Sequence, residues 1–513
     1  MDAANLTARL LRPAESLLVA LTDPARRERT AALTLTGYAA VWSLYGIVAK
    51  GSQDVHFDMG EAVALSCELD WGYPKHPPFM VWLVRAWFEI FPLADWSYYI
   101  LAMLVATAGL WCAWRLSAHY LDAQTRVLGL ALLTFVPFFN FHALKYNANS
   151  VLIPLWAATT WWFLRSLETR SPLYAALAGA AAAAAVLGKY WSIMLLAGLA
   201  IAALADPRRR QYFGSAAPWV TVAAGAAILA PHAVWIFAHG FSAFGYAMQS
   251  HPAQTYADAA LAGLGYVAGG LGYAAAPLVA ALAIARPGKA ALADTLWPRD
   301  PARRAALLAF ALPMLLPALA ALAAKSQVVP LWAMGAMTLL PVVLLSSPLL
   351  TIPRRAVVHA LAAAIAFPLL MLVLSPAIGY VIHGRGVPRG QAHFQLLAAE
   401  AERQWRAVAA GRPLRFVGGD SVLAFGTAFY LADRPQAYAD FRVASPIDPA
   451  RIARAGIVLL CVAEDRDCAA LIRPLETASA APRRIELELA RMHLGVRGRP
   501  ERYLVVVVPP RPN

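Results

Sequence analysis

The sequence predicts a polytopic α-helical membrane protein of about 11–13 transmembrane helices, followed by a small C-terminal α/β domain. Of 513 residues, 60% are hydrophobic and only 14% are charged, against about 25% charged in a soluble domain. The apolar residues gather in runs close to the ~20 residues a helix needs to cross a bilayer. The formal net charge is +14, but the basic residues sit in short turns on alternate sides of the apolar runs. That is the positive-inside pattern, so the charge reads as topology and no nucleic-acid partner is expected.

Residues 1–32 carry Arg9, Arg12, Arg26, Arg27 and Arg29 and form a cytoplasmic N-terminal segment. The first apolar run is too long and too far in for a cleavable signal. Residues 6–21 can form an amphipathic helix on the inner surface. The first span, roughly 33–50, leaves a basic flank, so its end at Lys50 lies outside. Later spans fall near 97–117, 127–144, 150–167, 172–188, 190–205, 216–237, 258–285, 305–324, 328–347 and 356–376. The inner loops then hold Arg126, Arg165 and Arg170, Arg208 to Arg210, Arg286 to Arg304, and Arg354 with Arg355. The outer loops hold almost no Arg until the last span. Residues 33–376 are thus a transmembrane domain with a first outer loop at 51–95. The Ala-rich run 177–185 and the glycines of 263–272 suit close helix packing.

Residues 377–513 have ordinary charge. Short β-rich runs (414–417, 457–462, 503–508) alternate with helix-like ones (394–410, 468–475), which reads as an α/β domain on the periplasmic side by span parity. Cys461 and Cys468 either form a disulfide in that oxidising compartment or stand as two buried thiols. Four cysteines in the whole chain exclude a disulfide scaffold, and none has zinc-site spacing.

Within the first outer loop, residues 58–78 pack Asp58, Glu61, Glu68, Asp70, Lys75 and His76 between apolar runs. If 57–69 is helical, Asp58, Glu61, Leu65 and Glu68 share one face. Tyr73-Pro74 and His76-Pro77-Pro78 then force an extended turn, and the amphipathic run 79–91 lies in the interface. An acidic face at the outer lipid surface can hold a cation or accept a proton. Only six basic residues are lysine, namely Lys50, Lys75, Lys145, Lys189, Lys289 and Lys325. Lys75, Lys145, Lys189 and Lys325 fall on the outer side, where they either bind an anion or snorkel from span ends.

The 58–78 loop resembles that of the dolichyl-phosphate-mannose protein mannosyltransferase superfamily, in the bacterial branch that transfers aminoarabinose or galacturonic acid to lipid A. Members carry an Asp-Glu pair after the first span, a Leu-x-x-Gly-Tyr element and a Lys- or His-Pro-Pro triplet. Asp58, Leu69-Asp70-Trp71-Gly72-Tyr73 and His76-Pro77-Pro78 match these, and Leu187-Gly188-Lys189-Tyr190 adds a shorter match. Two positions depart: Met59 stands where the pair has Glu, with Glu61 nearest, and Asn149 stands where Asp is frequent. Both put a bound divalent metal in doubt, since hard cations want several oxygens. If a metal binds, Asp58 and Glu61 are its candidates.

The resemblance implies a GT-C glycosyltransferase that inverts a sugar as it moves from a polyprenyl phosphate to an acceptor hydroxyl at the periplasmic face. The acceptor would be lipid A, another glycolipid, a polysaccharide or a protein. A hydroxyl needs a base, and Asp58 is the expected one. A leaving lipid phosphate needs cations, and Lys75, His76, Lys145, Lys189 and Lys325 are expected there. Glu61, Tyr73, Asn147, Asn149, Tyr190 and His251 are expected to contact sugar or acceptor. Residues 147–150 equally suit a helix cap, Tyr190 an interfacial aromatic belt, and the stretch holding His251 an outer loop rather than a lid. The alternative function is a transporter or flippase of a lipid-linked sugar, although no inverted repeat is visible.

Overall fold

The computed structural model describes residues 3–241, 252–387, 390–409, 411–439, 449–477 and 481–511. Among them, Arg27–Ala49, Asp95–Ser117, Ala217–Ala238, Pro301–Ala323 and Arg354–Arg385 are long and apolar enough to cross a bilayer. Tyr256–Tyr273 and Ala275–Ala285 make one more span bent by 54°. Shorter helices, Ala123–Leu133, Leu152–Thr169, Pro172–Gly188, Ile193–Ala205 and Leu340–Leu345, complete the bundle, so every expected span has a helical counterpart. Small residues close it as expected: a Cβ on Gly179 would lie 2.2 Å from the Thr221 carbonyl oxygen, so helices 172–188 and 217–238 meet backbone to backbone. At the opposite end from the Asp58 loop, Arg126 lies 3.5 Å over the Trp114 ring and pairs with Glu28 at 3.1 Å. The N-terminal helix, Ala3–Thr22, buries Leu18 and Leu21 and packs on helix 354–385.

Two segments depart from expectation in ways that shape the site. The span expected over 127–144 is helical only to Leu133; Pro137 follows, and residues 134–151 fold back in turns with a 3-10 turn at Pro137–Phe139. Asn140 donates from Nδ2 to the Thr134 and Val136 carbonyls at 2.9 and 3.3 Å, which satisfies backbone freed by the break. Irregular backbone is tolerated at such depth where protein surrounds it, and Phe138, Phe139 and Tyr146 are fully buried. In the 51–95 loop, the helix Phe57–Leu65 stops short of 69. Glu68 therefore leaves the acidic face and turns to Arg451 at 3.5 Å. A second helix, Phe79–Ile90, follows as expected.

The C-terminal unit holds a five-stranded sheet. Strands β1 (Phe416–Gly419), β2 (Gln436–Ala439), β3 (Ile457–Val462), β4 (Arg483–Leu489) and β7 (Glu501–Val508) run in the order β2-β1-β3-β7-β4. A ribbon of β5 (Met492–His493) and β6 (Val496–Arg497) stands apart. β1 is parallel to β2 and β3, whereas β7 is antiparallel to β3 and β4. Helices Phe394–Val408, Ser421–Tyr430 and Arg466–Thr477 cover it, and Cys461 is bonded to Cys468. Helix 421–430 lies directly on helix 57–65, where a Cβ on Gly60 would come within 2.3 Å of the Phe425 carbonyl oxygen. The smallest residue is required there because two backbones touch.

Candidate active site

Helix 57–65 begins at His56, whose Nδ1 accepts from the Asp58 amide at 3.2 Å. This puts Asp58 in the first turn, where the helix dipole favours an anion. Tyr98 donates to the Met59 carbonyl at 3.1 Å and fixes the same turn from the adjacent span. Met59, at the position where a second carboxylate was sought, is buried in the core. Glu61 lies one turn on, so Asp58 and Glu61 do share a face.

Each carboxylate has its own cations. Asp58 Oδ2 receives Lys145 Nζ and Asn147 Nδ2, both at 3.0 Å. Asn147 cannot turn its amide round, because its Oδ1 accepts from the Asn149 and Ser150 amides at 2.9 and 3.3 Å. Lys189 Nζ donates to Asn149 Oδ1 at 2.7 Å and stands 4.4 Å over the Trp332 ring. Glu61, 4% exposed, receives Lys75 Nζ at 2.8 Å and faces His76 Nε2 at 3.5 Å. Burial pushes the Asp58 carboxyl up, but the Lys145 ammonium outweighs it and holds it below its ordinary value. At Glu61 burial is again the largest effect, and Lys75 and His76 again overcome it, leaving a pKa of about 2. Both groups are anions at neutral pH. The fold-back at 134–151 is what carries Lys145, Asn147 and Asn149 to them.

Other expected site residues go elsewhere. The Tyr73 hydroxyl donates to the Glu68 carbonyl at 3.0 Å and accepts from the Asp70 amide at 3.3 Å, so it fastens its own loop. Tyr190 donates to His232 Nε2 at 3.0 Å with the rings stacked, and His232 Nδ1 donates to the Trp71 carbonyl at 2.5 Å. Trp235 continues the stack and donates to Asp70 Oδ2 at 2.8 Å. Tyr190 thus belongs to a ring ladder that holds the 70–73 turn on helix 217–238. Lys325 is exposed, with its ammonium 5.8 Å over the Tyr256 ring and no recorded contact to the Asp58 cluster. His251 lies outside the described residues. One residue of the cluster was missed: His56, whose cap is invisible without the helix start.

The donor set does not fit a divalent cation. Asp58 Oδ2 and the Glu61 oxygens face ammonium, amide and imidazole groups, and no metal-holding group of three or more His, Cys, Asp or Glu occurs among the described residues. A hard cation wants about six or more oxygens.

Residues 75–235 match the family model described as dolichyl-phosphate-mannose-protein mannosyltransferase. Across 93% of this chain and 97% of that chain, the structure matches ArnT from Cupriavidus metallidurans bound to undecaprenyl phosphate, with a TM-score of 0.62 and 13% sequence identity. The chain has the GT-C fold. The apo state of the same ArnT gives a TM-score of 0.61 at 12% identity, with the same shares covered. No curated protein matches. The family match over residues 75–235 and the GT-C fold agree with the resemblance read from residues 58–78. The matched segment begins at Lys75 and includes Lys145 and Lys189, whereas Asp58 lies just ahead of it.

Proposed function

We propose that this protein is an inverting glycosyltransferase that moves a sugar from a polyprenyl phosphate to an acceptor hydroxyl at the periplasmic face of the inner membrane. The observation that carries this reading is the Asp58 carboxylate, anionic and held by Lys145 and Asn147 beside Lys189. The undecaprenyl phosphate bound to ArnT supports a polyprenyl-phosphate donor. The outward orientation is supported by the Arg-bearing turns at the opposite bundle end and by the Cys461–Cys468 bond, which suits an oxidising compartment.

The chemistry follows from the two charges. The acceptor oxygen attacks the anomeric carbon, the bond from that carbon to the phosphate oxygen breaks, and the hydroxyl proton passes to Asp58. Lys145 and Lys189 take the charge that grows on the leaving phosphate. With Lys145 on the carboxylate, Asp58 is a weak base. When a phosphate draws Lys145 away, the carboxylate regains basicity at the moment it is needed. Asn147 keeps it aimed throughout. No step runs through a metal.

Asp58→Asn keeps the shape and removes the base. Transfer from a polyprenyl-phosphate sugar by the purified variant should fall by about 10²–10⁴ with the melting temperature unchanged. Near-normal transfer would end the assignment. The transporter alternative draws on the bent pair 256–273 and 275–285, since broken helices line transport sites. It predicts movement of the lipid-linked sugar across liposomes by a variant that transfers nothing.

A further inference from the structure

Away from Asp58, a cavity of about 420 Å³ opens where helix 354–385 meets the C-terminal unit. Ligand pockets start at about 300 Å³, so it has room for a phosphate and part of what carries it. Its wall takes His383 and Arg385 from the helix end, and Arg491, Arg499, His393 and Glu501 from the C-terminal unit. Only one of these is acidic, and Glu501 is already engaged by the Tyr503 hydroxyl and lies 3.6 Å from His393. Arg491 is paired with Asp54. Arg385 and Arg499 have no carboxylate partner among the described residues, although both are exposed at the rim. Gly386, at φ +75°, turns the chain out of the helix, and a Cβ there would lie 3.0 Å from Arg499 Cδ. The arginine stem therefore lies flat across the turn, beside Arg385.

The ordinary reading is that Arg385 serves the negative end of the helix dipole. That accounts for His383 and Arg385 but leaves Arg499, which comes from a different element. The field is positive beyond these groups. His493, whose ring is 5.5 Å from His383, is held below its ordinary pKa by partial burial and by His383 and Arg491. Arg385 and Arg499 reach one cavity from separate elements and have no carboxylate partner among the described residues, and guanidinium groups suit the bidentate geometry of phosphate.

We propose that this cavity binds a phosphate monoester, either free or as the headgroup of a lipid. The site is separate from the Asp58 cluster and does not depend on the transfer reading. Arg491 links the cavity to that cluster, since it also pairs with Asp54, four residues before Asp58.

The test uses the full chain carrying Lys145→Ala and Lys189→Ala, which removes the other cationic site. Radiolabelled inorganic phosphate is measured by equilibrium dialysis in detergent, and phosphatidic acid retained from mixed phosphatidylcholine nanodiscs is measured by native mass spectrometry. Saturable binding of either probe is expected. Adding Arg385→Gln and Arg499→Gln should weaken it at least tenfold with no change in melting temperature. Should that variant fold poorly, Arg385→Lys with Arg499→Lys keeps the charge and loses the fork, and binding should still weaken severalfold. Binding of inorganic phosphate identifies a free anion as sufficient, and retention of phosphatidic acid alone identifies a headgroup. Equal binding with and without the two arginines, or no saturable binding of either probe, overturns the proposal.

Discussion

Asp58 and Glu61 are one helical turn apart, yet they respond differently to pH and to loss of their partners. Lys145 is what holds Asp58 low. Lys145→Met should raise the donor KM about tenfold, the size of one lost charge-assisted contact. It should also move the acid limb of the kcat/KM profile to higher pH, because without the cation the carboxylate protonates sooner. An unchanged acid limb would separate Lys145 from the base. Glu61 has a structural signature. Its pKa falls from 4.5 to about 2 on folding, so the stabilisation it gives is complete above pH 4.5 and disappears as pH falls toward 2. Glu61→Gln leaves Lys75 short of its partner and should cost about 3–5 kcal/mol at pH 7. Thermal melts should show the gap to the parent protein narrowing below pH 4.5. The lysines were legible because they are out of place by charge. The protein partners of Tyr73 and Tyr190 were not legible, because sequence does not show which group a hydroxyl will meet in space.

Among the elements, helix 57–65 shows where local and tertiary preference conflict. Glycine weakens a helix by about 1 kcal/mol against alanine, so Gly60→Ala would stabilise this helix in isolation. In the protein the added Cβ would meet the Phe425 carbonyl oxygen at 2.3 Å. We expect a lowered melting temperature and a loss of turnover larger than any change in donor KM. A stabilised, fully active variant would show that helix 421–430 does not seat the site. The long spans were legible because apolar length is a strong signal. The fold-back after Leu133 was not, because its phenylalanines read as more span until Asn140 is seen to satisfy the broken backbone. Strand β4 escaped notice because its charged and apolar residues alternate on an exposed edge.

For the whole molecule, the question is how a bundle and an α/β unit share one site. The answer is a buried clasp. Arg491 pairs with Asp54, the Gln395 amide donates to Asp54 at 3.1 Å, and the Val55 amide donates to the Tyr430 hydroxyl at 2.9 Å. Tyr430 in turn donates to Asp95 at 2.9 Å. Arg491→Met should leave Asp54 uncompensated and lower both stability and transfer, and Arg491→Met with Asp54→Asn should recover part of the stability. The absence of any recovery would mean that the two act separately. The two-part architecture was legible from the change in composition after residue 376. The clasp was not, since its partners are hundreds of residues apart.

That separation also affects how the protein is made. Asp54 enters the membrane with the first loop, and Arg491 follows 437 residues later. A ribosome still building the chain therefore exposes Asp58 and Lys145 without the buttress that seats them. The buttress under this cluster is complete only when the last strands have folded against the first loop.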